Sequence, residues 1–140
     1  MKSILSLLTL SLFLFSSCNL NQNENNEQDY ILKKLHNEVM QIHDDVMPKM
    51  SEIGRLKRQL KDFQKEGKHT EKADSIQLFI YQLQEADESM MNWMGDFKKP
   101  DYSNFENAQT IYAKERVKIT NVKNTMESTI RKAQAFIAAL

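Results

Sequence analysis

Leu32, Leu35, Val39, Ile42, Val46, Ile53, Leu56, Leu60 and Phe63 follow one another mostly in steps of three and four, with only Lys49 interrupting. That rhythm lines them along one side of an α-helix. It excludes a strand, whose faces alternate every second residue. The rhythm recurs twice. Ala73, Ile76, Ile80, Leu83, Asp87, Met90, Met94 and Phe97 form a second seam. Phe105, Ala108, Tyr112, Glu115, Ile119, Val122, Met126, Thr129, Ala133, Phe136 and Leu140 form a third, which reaches the last residue. Long amphipathic helices with short connections close as antiparallel neighbours. The expected fold is all-α: an elongated antiparallel three-helix bundle with heptad-like packing, its helices over about residues 29–66, 71–97 and 104–139. At 1.5 Å per residue, a first helix of that length spans roughly 50 Å.

Breakers and caps mark the ends. Pro48 lies inside the first seam and has no N–H to offer the carbonyl of Asp44. It predicts a kink near Asp44–Met47, or a division into two helices, with Gly54 as a second soft point. Gly67 fits a left-handed cap. Thr70, followed by Glu71, fits an N-cap. Gly95 and Pro100 close the second helix. Ser103-Asn104-Phe105-Glu106 matches the S-x-x-E capping box and opens the third.

Ahead of the helices stands a segment of another kind. Lys2 precedes Ile4 to Phe15, an apolar run broken only by Ser and Thr. It is too short to span a bilayer and has the form of the h-region of a secretory signal. It ends in Phe15-Ser16-Ser17-Cys18, which resembles the lipobox of bacterial lipoproteins. The resemblance implies that residues 1–17 are a removed signal peptide and that Cys18 is acylated as the first residue of the mature protein. An ordinary signal peptide cut nearby would instead leave Cys18 as a free thiol. As the only Cys it has no internal disulfide partner. Two or more acyl chains anchor a protein stably without crossing the membrane. Asn19 stands where many inner-membrane lipoproteins carry Asp, which favours the outer membrane. Residues 18–28, almost without apolar side chains, are expected to form a flexible tether with a reach of about 15–20 Å.

Removing 17 residues from 140 leaves 123, the size of one domain. Without Lys2 the mature part has 18 basic and 19 acidic residues, a net charge of −1. No segment offers the basic stripe that nucleic-acid binding requires. There is no phosphate-binding Gly loop, no nucleophile elbow and no Cys cluster, so a non-enzymatic role is expected.

One constellation carries chemistry. Beside the first seam runs a second stripe: His36, Met40, His43, Met47, Met50 and Gly54. Reflecting the chain about Gly67 sets His43 level with Met91 and Met47 level with Asp87. Reflecting it about Pro100 sets Asp87 level with Ala113 to Glu115. His36, His43, Asp87, Glu115, Met47 and Met91 then form a candidate metal site in one slice. Imidazole and carboxylate suit Zn or Mn, and thioethers suit Cu(I). Packing alone also accounts for them: Met fills irregular gaps, and a buried carboxylate paired with a His can fix register. Trp93 and Phe97 fit packing at the bundle end better than a ligand box.

His43 to Met50 (HDDVMPKM), Leu56 to Leu60 (LKRQL) and Glu85 to Met94 (EADESMMNWM) together resemble a family of small bacterial lipoproteins often labelled "viral A-type inclusion protein". The resemblance implies a lipid-anchored helical protein and brings no mechanism. The expected function is therefore a non-enzymatic binding or structural role in the cell envelope, with a protein partner of unknown identity. The alternative is a metal-binding envelope protein that uses the His/Met/carboxylate slice.

Overall fold

Pro48 divides the first leg of the bundle. In the computed structural model, which describes residues 19–140 and side-chain surroundings from Asn25 onward, α1 (Asn19–Val46) and α2 (Lys49–Lys65) are separate helices. Of the two outcomes the proline predicts, a break occurs in place of a kinked continuous helix. Across it, Met50 N–H donates to the Met47 carbonyl at 3.2 Å and Ser51 N–H to the Pro48 carbonyl at 3.3 Å. These tighter bonds replace the one that proline cannot make. α2 runs unbroken through Gly54.

The second leg is α3 (Ala73–Asp96) and the third is α4 (Phe105–Ala138). α1 packs along α4, and α2 packs against both α3 and α4. α4 runs parallel to the first leg: Arg116 reaches Glu38 at 3.4 Å, Lys49 reaches Glu127 at 3.5 Å, and Gln134 donates to Glu52 at 2.9 Å. The all-α three-legged bundle agrees with the sequence. Among the described residues there is no strand, and no helix is long and apolar enough to cross a membrane.

The signal peptide and Cys18 lie outside the described residues. Residues 19–28, expected to be a flexible tether, instead continue α1 as helix. Asn25, Asn26 and Glu27 are exposed. Backbone bonds propagated from the packed turns that follow hold this stretch, because extending a helix costs far less than nucleating one.

The ends differ in detail from the caps the sequence offers. Gly67 is left-handed, at φ 67°, as expected, but His69 is left-handed as well, at φ 55°. A short 3₁₀ turn, Thr70–Lys72, precedes α3, so Thr70 does not cap it. α4 is capped by Asn104, whose side-chain oxygen accepts the Asn107 N–H at 3.0 Å, and not by Ser103. Ser103 is held by Asp101, which accepts its backbone N–H at 2.9 Å and its hydroxyl at 2.7 Å. Those bonds keep the Asp101 carboxyl below the usual carboxylate range.

The core follows the seams with two shifts, one along α3 and one on α4, where Ile130 is buried in place of Thr129. Leu32, Val39, Val46, Ile53, Leu56 and Leu60 close the first leg, and Ala108, Tyr112, Ile119, Met126 and Ala133 close the third. On α3 the buried residues are Ile76, Ile80, Leu83, Ala86, Met90 and Trp93. Beyond Leu83 the seam therefore moves one residue towards the N-terminus of the pattern read from sequence. Ala86 and Trp93 are inside, whereas Asp87 and Met94 are not.

Glu52 ties α2 to α4. Two bonds from Arg55, at 2.9 and 2.7 Å, and one from Gln134 hold its carboxyl at about 2, against an ordinary 4.5. A carboxyl lowered in the folded state stabilises it fully above the unfolded value and loses that contribution as pH falls. Glu52→Gln is expected to lose less stability than wild type on going from pH 4.5 to 2. Urea unfolding across that window measures the difference, and equal slopes would rule out the tie.

Candidate functional site

Because α1 leans on α4, rings fill the space between α1 and α3. His43 projects from α1 onto Trp93, with centroids 5.6 Å apart. Trp93 stacks on Phe97 at 5.1 Å, and Phe97 meets His36 at 6.1 Å. His36 stands edge-on to Tyr112 at 5.8 Å, and Tyr112 stands edge-on to Tyr102 at 6.3 Å. Lys99 caps the chain 4.6 Å above the Tyr102 ring. The spacing of three and four residues on each helix aims these side chains inward at successive turns.

Hydrogen bonds fix the rings at their polar atoms. Trp93 Nε1–H donates to Glu115 at 3.0 Å, and Lys118 donates to the other Glu115 oxygen at 2.7 Å. The Tyr112 and Tyr102 hydroxyls are 3.0 Å apart, and His36 Nδ1 lies 3.4 Å from the Tyr112 hydroxyl. Burial, and then the Tyr102 bond, push the Tyr112 phenol well above its ordinary range, so it stays protonated. His43 Nδ1 lies 2.8 Å from Asp44 on the solvent side. Among the described residues, no buried side-chain nitrogen or oxygen lacks a partner.

The six candidate ligands do not meet as the sequence reflection placed them. His36, His43 and Glu115 belong to the ring cluster, but rings separate them. Asp87 lies elsewhere, 3.7 Å from Lys57 of α2. Met91 is 53% exposed, and Met47 packs against the core edge. Among the described residues, no three His, Cys, Asp or Glu side chains gather as a metal ligand set. The turn explains the displacement of Asp87. Lys57 bonds Gln84 and Gln64 bonds Gln77, so facing residue numbers add to 141. A reflection about Gly67 makes them add to 134. The 3₁₀ turn lengthens the connection and slides α3 by two helical turns relative to α2.

Trp93 and Phe97 pack at the bundle end as their spacing suggests, and His36 links them to Tyr112 and Tyr102, a connection the seams do not announce. The signal was present: Ala86, Met90 and Trp93 are spaced four and three, and Trp93 lies seven residues after Ala86.

A second feature lies on the surface. The outer side of α1 and Arg116 of α4 form an open hollow of about 760 Å³, lined by Tyr30, Lys33, Lys34 and Ile42 among others. Tyr30 is 69% exposed there. Lys33 reaches Asp29 at 3.8 Å and Arg116 reaches Glu38, while Lys34 has no ion-pair partner among the described residues. The arrangement offers packing and binding surface: rings closed on themselves inside, and an apolar floor with a cationic rim outside.

Comparison with protein-family models, with curated proteins and with solved structures finds no match.

Proposed function

We propose that this protein is a lipid-anchored helical bundle of the cell envelope that acts by binding or spacing, without catalysis. The observation that carries the proposal is the run Phe15-Ser16-Ser17-Cys18 behind an apolar leader, one residue ahead of α1. The resemblance of HDDVMPKM and EADESMMNWM to small bacterial lipoproteins supports the same reading. A binding role draws support from the exposed Tyr30 and the Lys/Arg-rimmed hollow beside it. A spacing role draws support from the long helices and a fully partnered core.

The test is acylation. Expressed in a Gram-negative host with a labelled fatty acid, the full chain is expected to incorporate label and to fractionate with membranes. Cys18→Ala is expected to abolish the label. Mass spectrometry of the mature N-terminus is expected to show a modified Cys18. An unmodified N-terminus at another residue would overturn the anchor.

A further inference from the structure

α3 carries Asp74, Glu85, Asp87, Glu88 and Asp96 and no Lys or Arg. Ile76, Ile80, Leu83 and Met90 turn one side of it into the core. On the opposite side runs a second stripe in steps of four and three: Asp74, Leu78, Tyr81, Glu85, Glu88 and Asn92. Every member is exposed, Leu78 by 53% and Tyr81 by 57%. At 1.5 Å per residue the stripe is about 27 Å long.

The neighbouring helices meet α3 on its flanks and leave this stripe open. α2 reaches Gln77, Gln84 and Asp87, and α4 reaches Phe79 and Trp93. Lys57, which α2 extends towards α3, is engaged by Gln84 and Asp87. Helix polarity accounts for Asp74 in the first turn. Glu85 and Glu88 stand in mid-helix, where it does not. Neither has an ion-pair partner among the described residues, although Glu88 accepts the Gln84 amide. A merely solvated face mixes charges of both signs and keeps large apolar side chains apart. This one carries a single sign of charge and sets Leu78 and Tyr81 on adjacent turns. Apolar anchors and charges at three-four spacing are how a helix is recognised by a partner helix.

We propose that this stripe docks a cationic amphipathic helix of another protein. Its apolar side chains cover Leu78 and Tyr81, and its Lys or Arg side chains meet Glu85 and Glu88. Charge complementarity selects this occupant. An anionic membrane surface repels the same carboxylates. A second copy that brings its own α3 sets Glu85 and Glu88 against like charges. The α2 of a second copy offers Lys and Arg but no exposed large apolar residue to cover Leu78 and Tyr81. The apolar pair gives the contact its area, and the carboxylates fix its register and exclude acidic partners. This names a partner class for the binding role proposed above. The stripe is present whether or not Cys18 is acylated, so the anchor and the docking surface fail separately.

Photo-crosslinking in cells that produce the full chain tests it. Tyr81→p-benzoylphenylalanine is expected to capture one protein segment, and the same replacement at Val117, exposed on α4, is expected not to capture it. Mass spectrometry of the adduct is expected to map the segment to a helix with Lys or Arg beside apolar residues at three-four spacing. A synthetic peptide of that segment is then expected to bind the purified protein, more weakly as salt rises. Glu85→Lys/Glu88→Lys and Leu78→Ser/Tyr81→Ser are each expected to weaken binding by about tenfold or more, with unchanged helical circular dichroism. Asp62→Lys, at an exposed carboxylate of α2, is expected to leave it unchanged. Capture no greater than at Val117 overturns the proposal. So does an acidic captured segment, a lipid adduct, a captured second copy of this chain, or binding that either double variant leaves intact.

Discussion

Trp93→Ala is expected to destabilise the bundle by about 3–5 kcal/mol, the range for truncating a large buried aromatic. Trp93 is 6% exposed and touches both His43 and Phe97, so its removal opens a gap where α1 and α3 otherwise touch little. The change also leaves Glu115, whose side chain is only 12% exposed, with Lys118 alone. Trp93→Phe separates the two contributions. It keeps a ring in the stack and gives up the bond to Glu115, at a cost of about 1.5–3 kcal/mol for a hydrogen bond to a charged group. Met94→Ala, next in sequence and on the open side, is expected to cost less than about 1 kcal/mol, as partly exposed positions do. Urea unfolding followed by circular dichroism gives all three values, since Trp93 is the only Trp and its fluorescence disappears with it. A loss for Trp93→Ala no larger than that for Met94→Ala would show that the ring chain does not join α1 to α3.

The ring chain also shows what a single sequence discloses. The three legs were legible because the burial rule repeats in each: Leu32 to Leu60, Ile76 to Leu83 and Ala108 to Ala133 each present a stripe that must be covered. The break at Pro48 was legible as one of two outcomes, since proline removes a bond but does not determine which way the helix responds. Relative register was legible along α1 but not along α2. It depends on the length of the Gly67–Lys72 connection, where His69 takes a left-handed conformation that no rule of composition demands. Along α2 the pairing slides by two helical turns and carries Asp87 to Lys57, whereas the α1 contacts, His43 with Trp93 and His36 with Phe97, add to 136 and 133 and stay near the reflected register. The residue types of the candidate site were therefore correct in part, while their meeting point was displaced.

The seam on α3 offers the sharpest test of that shift, because two adjacent residues exchange roles. A pattern through Leu83, Asp87 and Met90 makes Asp87 a buried carboxylate and Ala86 a bystander. The structure makes Ala86 fully buried and sets Asp87 at the rim, where Lys57 approaches to 3.7 Å. Asp87→Ala is accordingly expected to cost no more than about 1 kcal/mol, the worth of a rim ion pair. Asp87→Leu is expected to gain little, since it adds apolar surface without a pocket to receive it. Ala86→Glu is expected to cost on the order of 4 kcal/mol or more, because it forces four further heavy atoms, among them a charged carboxylate, into a filled core with no partner. Thermal and urea unfolding of the three variants give the order. If Asp87→Ala proved the most damaging and Ala86→Glu were tolerated, α3 would have to be rotated by about 100°, one residue, about its axis. Trp93 would then leave the ring chain, and Asp87 would turn into the core between Leu83 and Met90.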